Sequence, residues 1–338
     1  MATALSRKIL NRLGDKPAQF AFTMSNLGLI RRRLKRRYDA ALDRHRPSLP
    51  RLNGLDLAII EGLERDGLFV TSLDALGLPH SAEMLRAAQK VASDCTESAR
   101  QKARAGRAFI SAPASALIDK PEIFQWGLNE RLLDIAEAHI GLPVAYDGMT
   151  LIYTVADGTE LGTRLWHRDR EDRKVIKVAV YCTDVTDRGG PFELISRVDP
   201  SQGVDDRYEF DFGTEQLLSE RLGPDYSRAI VSCPGPAGTV VFADTARFFH
   251  RGAPAYDKDR AALYYGYFAT TTRHPFFCER SGLSRRQIAD LAQDMPARQR
   301  ASALWRKALP FFLKLIPPAP VGMAFLALSA AGSCLHKG

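Results

Sequence analysis

Cysteine is scarce in this 338-residue chain: Cys95, Cys182, Cys233, Cys278 and Cys334 make five, with no CxxC pair. An odd, scattered set disfavours a disulfide framework and a thiolate zinc site, and it suits a reducing, cytoplasmic compartment. A Gly-x-Ser-x-Gly elbow and a glycine-rich phosphate loop are also missing, so no hydrolase nucleophile or nucleotide cradle is signalled. Internal repeats and low-complexity tracts are absent. The N-terminus lacks a clean apolar core with a small-residue cleavage site, which disfavours secretion. Residues 315–335 carry no charge but are broken by Pro317, Pro318 and Pro320. The unbroken part, 321–335, makes about 22 Å of helix against a hydrocarbon core of ~30 Å. That is too short to span.

What is present is globular in composition, 45% hydrophobic and 25% charged. The net charge of +8 is unevenly placed: residues 1–51 hold 13 Lys/Arg against 3 Asp/Glu, and the rest holds 34 against 36. The body is thus slightly acidic, which argues against a nucleic-acid-binding protein. Three segments follow: a basic arm 1–51, a body 52–309 and an apolar tail 310–338, with 46–51 as linker. The arm contains Arg31-Arg32-Arg33-Leu34-Lys35-Arg36-Arg37 after an apolar stretch. A solvated helical face, a targeting peptide and attraction to anionic lipid headgroups all fit such a run. The tail fits a packed helix or a shallow membrane contact. Together the two ends raise peripheral membrane association.

Helical spacing appears over 55–68, over 82–105 behind a Ser81 cap, over 130–140, and again over 284–295 and 297–309. From 144 to 272 the chain changes to short extended runs at 150–155, 164–169, 175–181, 191–195, 239–243, 248–251 and 263–270, with another at 69–71. In the run 175–181, Ile176, Val178 and Val180 alternate with Lys177, Ala179 and Tyr181, the two-residue period of a strand. Regular short strands flanked by helices indicate a mainly β chain with a sandwich or barrel core.

Of seven histidines, only His167 is followed two residues later by an aspartate, Asp169. On a strand, i and i+2 share a face, so Trp166-His167-Arg168-Asp169 presents an imidazole beside a carboxylate. Downstream, 239–254 reads as two strands and a turn, with His250 at a strand end beside Arg251 and Gly252. Arg260 opens the next strand. Two histidines and one carboxylate on adjoining strands suit a non-haem Fe(II) facial triad, and an arginine nearby can clamp a carboxylate. Zinc suits the same donors. His45, His80, His139, His274 and His336 read as surface or cap residues.

These elements, with Lys177–Asp184 and Gly190-Pro191-Phe192 between them, resemble the phytanoyl-CoA dioxygenase family of Fe(II)- and 2-oxoglutarate-dependent oxygenases. The resemblance covers 150–270, and more weakly 55–300. It implies a double-stranded β-helix (jelly-roll, cupin-like) core and iron bound by His167, Asp169 and His250. It implies Arg260 on the distal carboxylate of 2-oxoglutarate, O2 as second cosubstrate and ascorbate as a supporting reductant. Lys177 and Thr154 are further candidates for cosubstrate contact, Lys177 equally for an exposed edge. Asp169 favours oxygenation over halogenation, since related halogenases carry a small residue there. Two departures stand out: Ile195-Ser196-Arg197-Val198 replaces the family's Pro-Gly-Ser-His, and Gly252 replaces a common hydroxyl residue. The reading is a dioxygenase hydroxylating an unactivated C–H of a small-molecule or lipid-like substrate, releasing succinate and CO2. A zinc-binding or catalytically silent jelly-roll that binds lipid or sugar, and a membrane-surface scaffold, are the alternatives.

Overall fold

The structure, a computed structural model, describes residues 16–107, 109–196, 212–279 and 281–318. The membrane-contact reading of 321–335 lies outside the described residues, as do His336 and the Arg197-Val198 part of the first departure.

The described residues contain eight strands: β1 (Leu68–Ser72), β2 (Val144–Thr154), β3 (Ile176–Tyr181), β4 (Phe192–Ile195), β5 (Ile230–Cys233), β6 (Thr239–Asp244), β7 (His250–Gly252) and β8 (Arg260–Ala269). They form a five-stranded sheet, β1-β6-β3-β8-β2, and a three-stranded sheet, β5-β4-β7. All named pairings are antiparallel. The alternation in β3 decides the layers. Ile176, Val178 and Val180 enter the main core with Val240, Phe242, Leu263 and Tyr265, against helical residues such as Ile59, Met84 and Leu133. Each such fully buried side chain contributes about 1.5–3 kcal/mol. Ala179 and Tyr181 point the other way, into a second cluster with Phe192 and Leu194 of β4 and Cys233 of β5. The Tyr181 hydroxyl donates to the Cys233 carbonyl at 2.6 Å and accepts from the Phe192 N–H at 2.9 Å. The small sheet therefore faces the large one, and by strand period Lys177 lies on this inner face.

Helices cover the outer face of the large sheet, and they hold more residues than the strands do. The core is β as expected, but the chain as a whole is not mainly β. Segments 69–71 and 239–243 were expected as separate runs; they pair, with Phe69 opposite Phe242. Glu130–Ile140 is helical within the expected bounds, capped by the Asn129 side chain and ended by Gly141 at φ 79°. The helix Ser81–Arg104 differs at its start. His80 occupies the N-cap position in the left-handed region, while Ser81 donates to the Leu78 carbonyl and accepts from the Trp126 indole. Behind Ser284, whose capping box with Gln287 is complete, the helix runs only Arg285–Leu291. The helix expected over 297–309 stops at Ala303, and Trp305–Ala308 is a 3-10 turn.

The arm is docked from residue 16 onward. Helices Lys16–Asn26 and Gly28–His45 lie on the body. Ala18 is buried with Phe276 and Phe277, and Tyr38, Ala41 and Leu42 pack on the main core.

Candidate metal centre

The centre lies where the edge strand β7 of the small sheet meets the segment before β3. His167 and His250 face each other across a single antiparallel bridge. Each backbone N–H donates to the other's carbonyl, at 3.0 and 2.9 Å. The expected strand over 164–169 is not regular. A 3-10 turn, Gly162–Arg164, comes first, and the Asp169 N–H leaves the bridge to bond the Thr245 carbonyl at 2.8 Å. Separate backbone anchors, one on β7 and one just past β6, thus hold the two ends of Trp166-His167-Arg168-Asp169.

The side chains of His167, Asp169 and His250 are buried, with one ligand-capable atom from each within 4.8 Å of the others. The imidazole centroids are 4.3 Å apart, and His250 Nε2 lies 3.8 Å from Asp169 Oδ2. His167 Nδ1 donates to the Leu165 carbonyl at 2.7 Å and His250 Nδ1 to the Phe248 carbonyl at 3.3 Å. A carbonyl only accepts, so Nδ1 carries a proton in both rings, and in the neutral imidazole the lone pair is then on Nε2. Burial, then the neighbouring His167, drives the proton affinity of His250 well below the ordinary range. Two imidazoles with Nδ1 committed to carbonyls, together with one carboxylate, form a donor set for a divalent ion, and three ligands from one side leave positions open.

Lys177 Nζ stands 2.6 Å from Asp169 Oδ2. Its ammonium supplies the positive charge that a metal ion would bring to this carboxylate. Lys177→Met removes that charge from a buried site and is expected to cost about 3 kcal/mol in the metal-free protein. Cobalt(II) then restores it, so the Co(II)-induced rise in Tm should be larger in the variant than in wild type. Equal rises would disprove the competition.

Arg260 and Thr154 are brought together. They are cross-strand partners on β8 and β2, both buried, and the Arg260 Nη2–H donates to Thr154 Oγ1 at 2.9 Å. Arg260 Nη1 donates to the Gly190 carbonyl, while its buried Nε has no partner among the described residues. Gly190 sits at φ 73°, and a Cβ there would meet the Ala253 carbonyl oxygen at 2.7 Å, so this turn requires glycine. A Cβ on Gly252 would lie 2.5 Å from Arg260 Nη2. A hydroxyl residue at 252, common in the family, would thus require the guanidinium to shift from its present position. His250 and Gly252 are two apart on β7, which puts Arg260 against the strand that carries the second histidine.

Two of the histidines read as surface or cap residues are buried. His274 donates from Nδ1 to the Arg170 carbonyl at 2.6 Å. Burial, partly offset by that bond, brings its pKa down to about 3. His139 Nε2 lies 2.7 Å from Asp244 Oδ2 and its Nδ1 3.0 Å from Glu64 Oε1. Arg247 Nε meets Asp244 at 2.5 Å, and Lys174 meets Glu64 at 2.7 Å. Asp244 also accepts from the Arg247 N–H and so orders the turn from β6 to β7. That turn supplies both the Thr245 carbonyl and His250. The sequence signal was only the polar Asp-Thr at a strand end; the partner histidine is 105 residues away.

Burial alone would raise the Asp244 carboxyl; His139 and Arg247 outweigh it and bring it down to about 2 from an ordinary 3.8. A carboxyl lowered in the folded state adds stability above its unfolded value, and that stability is lost as pH falls through the folded one. Wild type should therefore lose about 2 kcal/mol of unfolding free energy between about pH 4 and pH 2 from this group. Urea titrations of Asp244→Asn should lack that component of the slope. Iron affinity of the variant should fall about ten- to a hundredfold through the loosened turn.

No family model matches the chain, and no curated protein matches it. It is similar to solved structures of non-haem enzymes. The α-ketoglutarate-dependent carbocyclase SnoK from nogalamycin biosynthesis is 20% identical with a TM-score of 0.46, over 64% of this chain and 85% of that one. EctD from S. alaskensis is 21% identical with a TM-score of 0.43, over 67% and 84%. The epimerase SnoN, solved with Fe3+, α-ketoglutarate and nogalamycin RO, is 16% identical with a TM-score of 0.41, over 72% and 91%.

Proposed function

We propose that this chain is an Fe(II)- and 2-oxoglutarate-dependent oxygenase on a double-stranded β-helix core, hydroxylating an unactivated C–H of a small-molecule or lipid-like substrate. The observation that carries the reading is the buried three-ligand centre with a buried arginine set against its second histidine strand. A zinc hydrolase needs the ligands but does not need an arginine to hold a keto acid's distal carboxylate.

His167 Nε2, His250 Nε2 and an Asp169 oxygen would hold the iron. Arg260 would donate to the distal carboxylate of 2-oxoglutarate, with the Thr154 hydroxyl beside it, in charge-assisted bonds strengthened by burial. Bound iron with 2-oxoglutarate and O2 supplies the oxidising chemistry, turning the keto acid into succinate and CO2 as the substrate gains a hydroxyl. The chain supplies no nucleophile; it orients ligands and excludes water. The inner-face position of Lys177 keeps a positive charge beside Asp169, and the Nδ1 carbonyl bonds keep both Nε2 lone pairs on the metal side.

Anaerobic addition of Fe(II) and then 2-oxoglutarate should give a weak visible charge-transfer band, and oxygen with ascorbate should then yield succinate. Zinc gives no such band. Tight zinc binding with no affinity for 2-oxoglutarate would overturn the proposal.

A further inference from the structure

The helix Gly28–His45 carries two unlike faces. Leu34, Tyr38, Ala41, Leu42 and His45 recur at helical spacing on the half-buried side. Tyr38 lies under the Arg173 guanidinium at 4.2 Å, and His45 pairs with Glu137 at 2.8 Å. On the opposite side Arg32, Arg33, Arg36 and Arg37 are exposed, and none has a carboxylate within ion-pair distance among the described residues. The acidic residues of this helix are already engaged: Asp39 pairs with Lys35 and Asp43 with Arg46. Four unneutralised guanidinium groups thus share one exposed face.

Large apolar side chains lie exposed next to them. Leu27 is 48% and Leu29 78% exposed at the start of this helix, and Phe20 is 69% exposed on the preceding one. The other end of the described chain adds more. Ile316 packs on the same cluster as Ala18, Ala21 and Phe22, so the chain that carries Phe311, Phe312 and Leu315 ends against the helix Lys16–Asn26. These three are 76%, 65% and 66% exposed. Among the described residues no helix is long and apolar enough to cross a membrane.

We propose that this face docks on an anionic lipid bilayer, with the arginines on headgroup phosphates and carboxylates and the apolar side chains at the acyl boundary. Charge complementarity selects the occupant: a second copy of the chain would set these arginines against one another, and a neutral apolar partner would leave them unanswered. Basic charge beside exposed apolar bulk is what an in-plane interfacial helix requires, and each part alone binds weakly. The inner side of the same arm touches the chain that follows Asp169. Phe22 contacts His274 with ring centroids 5.1 Å apart, and the His274 ring bonds the Arg170 carbonyl. The proposal goes beyond the oxygenase reading and does not depend on it.

Sedimentation of the full chain with vesicles tests it, with no metal or cosubstrate needed. Phosphatidylcholine vesicles containing phosphatidylserine should bring the protein down, pure phosphatidylcholine should not, and salt should weaken binding. Replacing Arg32, Arg33, Arg36 and Arg37 together by Gln should lower the partition coefficient at least about tenfold. Replacing all four by Lys should preserve it, which separates charge from any effect on folding. Phe311→Ser with Phe312→Ser should weaken binding while keeping its salt dependence. Equal binding to neutral and anionic vesicles, loss of binding in the Lys variant, or retention by RNA with none by vesicles would each overturn the proposal. So would a dimer that buries this face and leaves the vesicles unbound.

Discussion

Asp169→Ala protein is expected to keep its fold and lose its metal. The Asp169 N–H bond to the Thr245 carbonyl and the His167–His250 bridge are backbone bonds, which the substitution leaves in place. What disappears is the only carboxylate among the three ligands. Two neutral imidazoles remain, and the Lys177 ammonium, 2.6 Å from the lost oxygen, now faces the site without that counter-charge. Both changes disfavour a divalent cation. Iron(II) affinity should fall by more than about a hundredfold, beyond the range seen when only a supporting group is lost. Succinate formation should fall below about a thousandth of wild type, while Tm without metal stays within a few degrees. Competition against a chromogenic chelator gives the affinity directly. A variant that holds iron as wild type does would remove Asp169 from the centre, and the facial triad with it.

Arg260→Leu is expected to separate cosubstrate binding from metal binding. The guanidinium touches Thr154 and the Gly190 carbonyl and is none of the ligands, so iron affinity should change by less than about tenfold. If Arg260 holds the distal carboxylate of 2-oxoglutarate as proposed, its loss removes a buried charged partner for that dianion, worth several kcal/mol in a water-poor site. The KM for 2-oxoglutarate should rise at least about a hundredfold, and the charge-transfer band should vanish at cosubstrate concentrations that saturate wild type. Arg260→Lys should recover only a small part, because a single ammonium cannot reproduce two parallel donors in a plane. Unchanged 2-oxoglutarate affinity in the Leu variant would return Arg260 to a structural role, holding β2, β8 and the Gly190 turn together.

How much of this was legible beforehand depends on the range of the contacts involved. The ligand set stood in the sequence as Trp166-His167-Arg168-Asp169 and His250 because two ligands are two residues apart and the third ends a strand. The reason offered for the first pair, a regular strand face, was incomplete: their geometry comes from His250 and Thr245, which no local pattern displays. Lys177 could be placed on the face opposite Ile176, Val178 and Val180, yet nothing local said whether that face looked at solvent or at the small sheet. His139 and His274 read as isolated because their partners, Asp244 and the Arg170 carbonyl, lie 105 and 104 residues away. Gly252 stands out locally only as a departure from a pattern; that its missing side chain leaves room for the end of Arg260 is a long-range fact.

By itself the sequence determined the period of the longer helices and of most strands in the core, the uneven division of charge, and which few residues have the chemistry to hold a metal. Those are properties of neighbouring residues, and steric preference and hydrophobic alternation write them locally. Only the tertiary structure decided which strand faces meet, which polar groups are stripped of water, and that Arg260 stands by the second histidine. Burial and opposition of distant segments are set by how the whole chain closes on its core, and no window of a few residues contains that information.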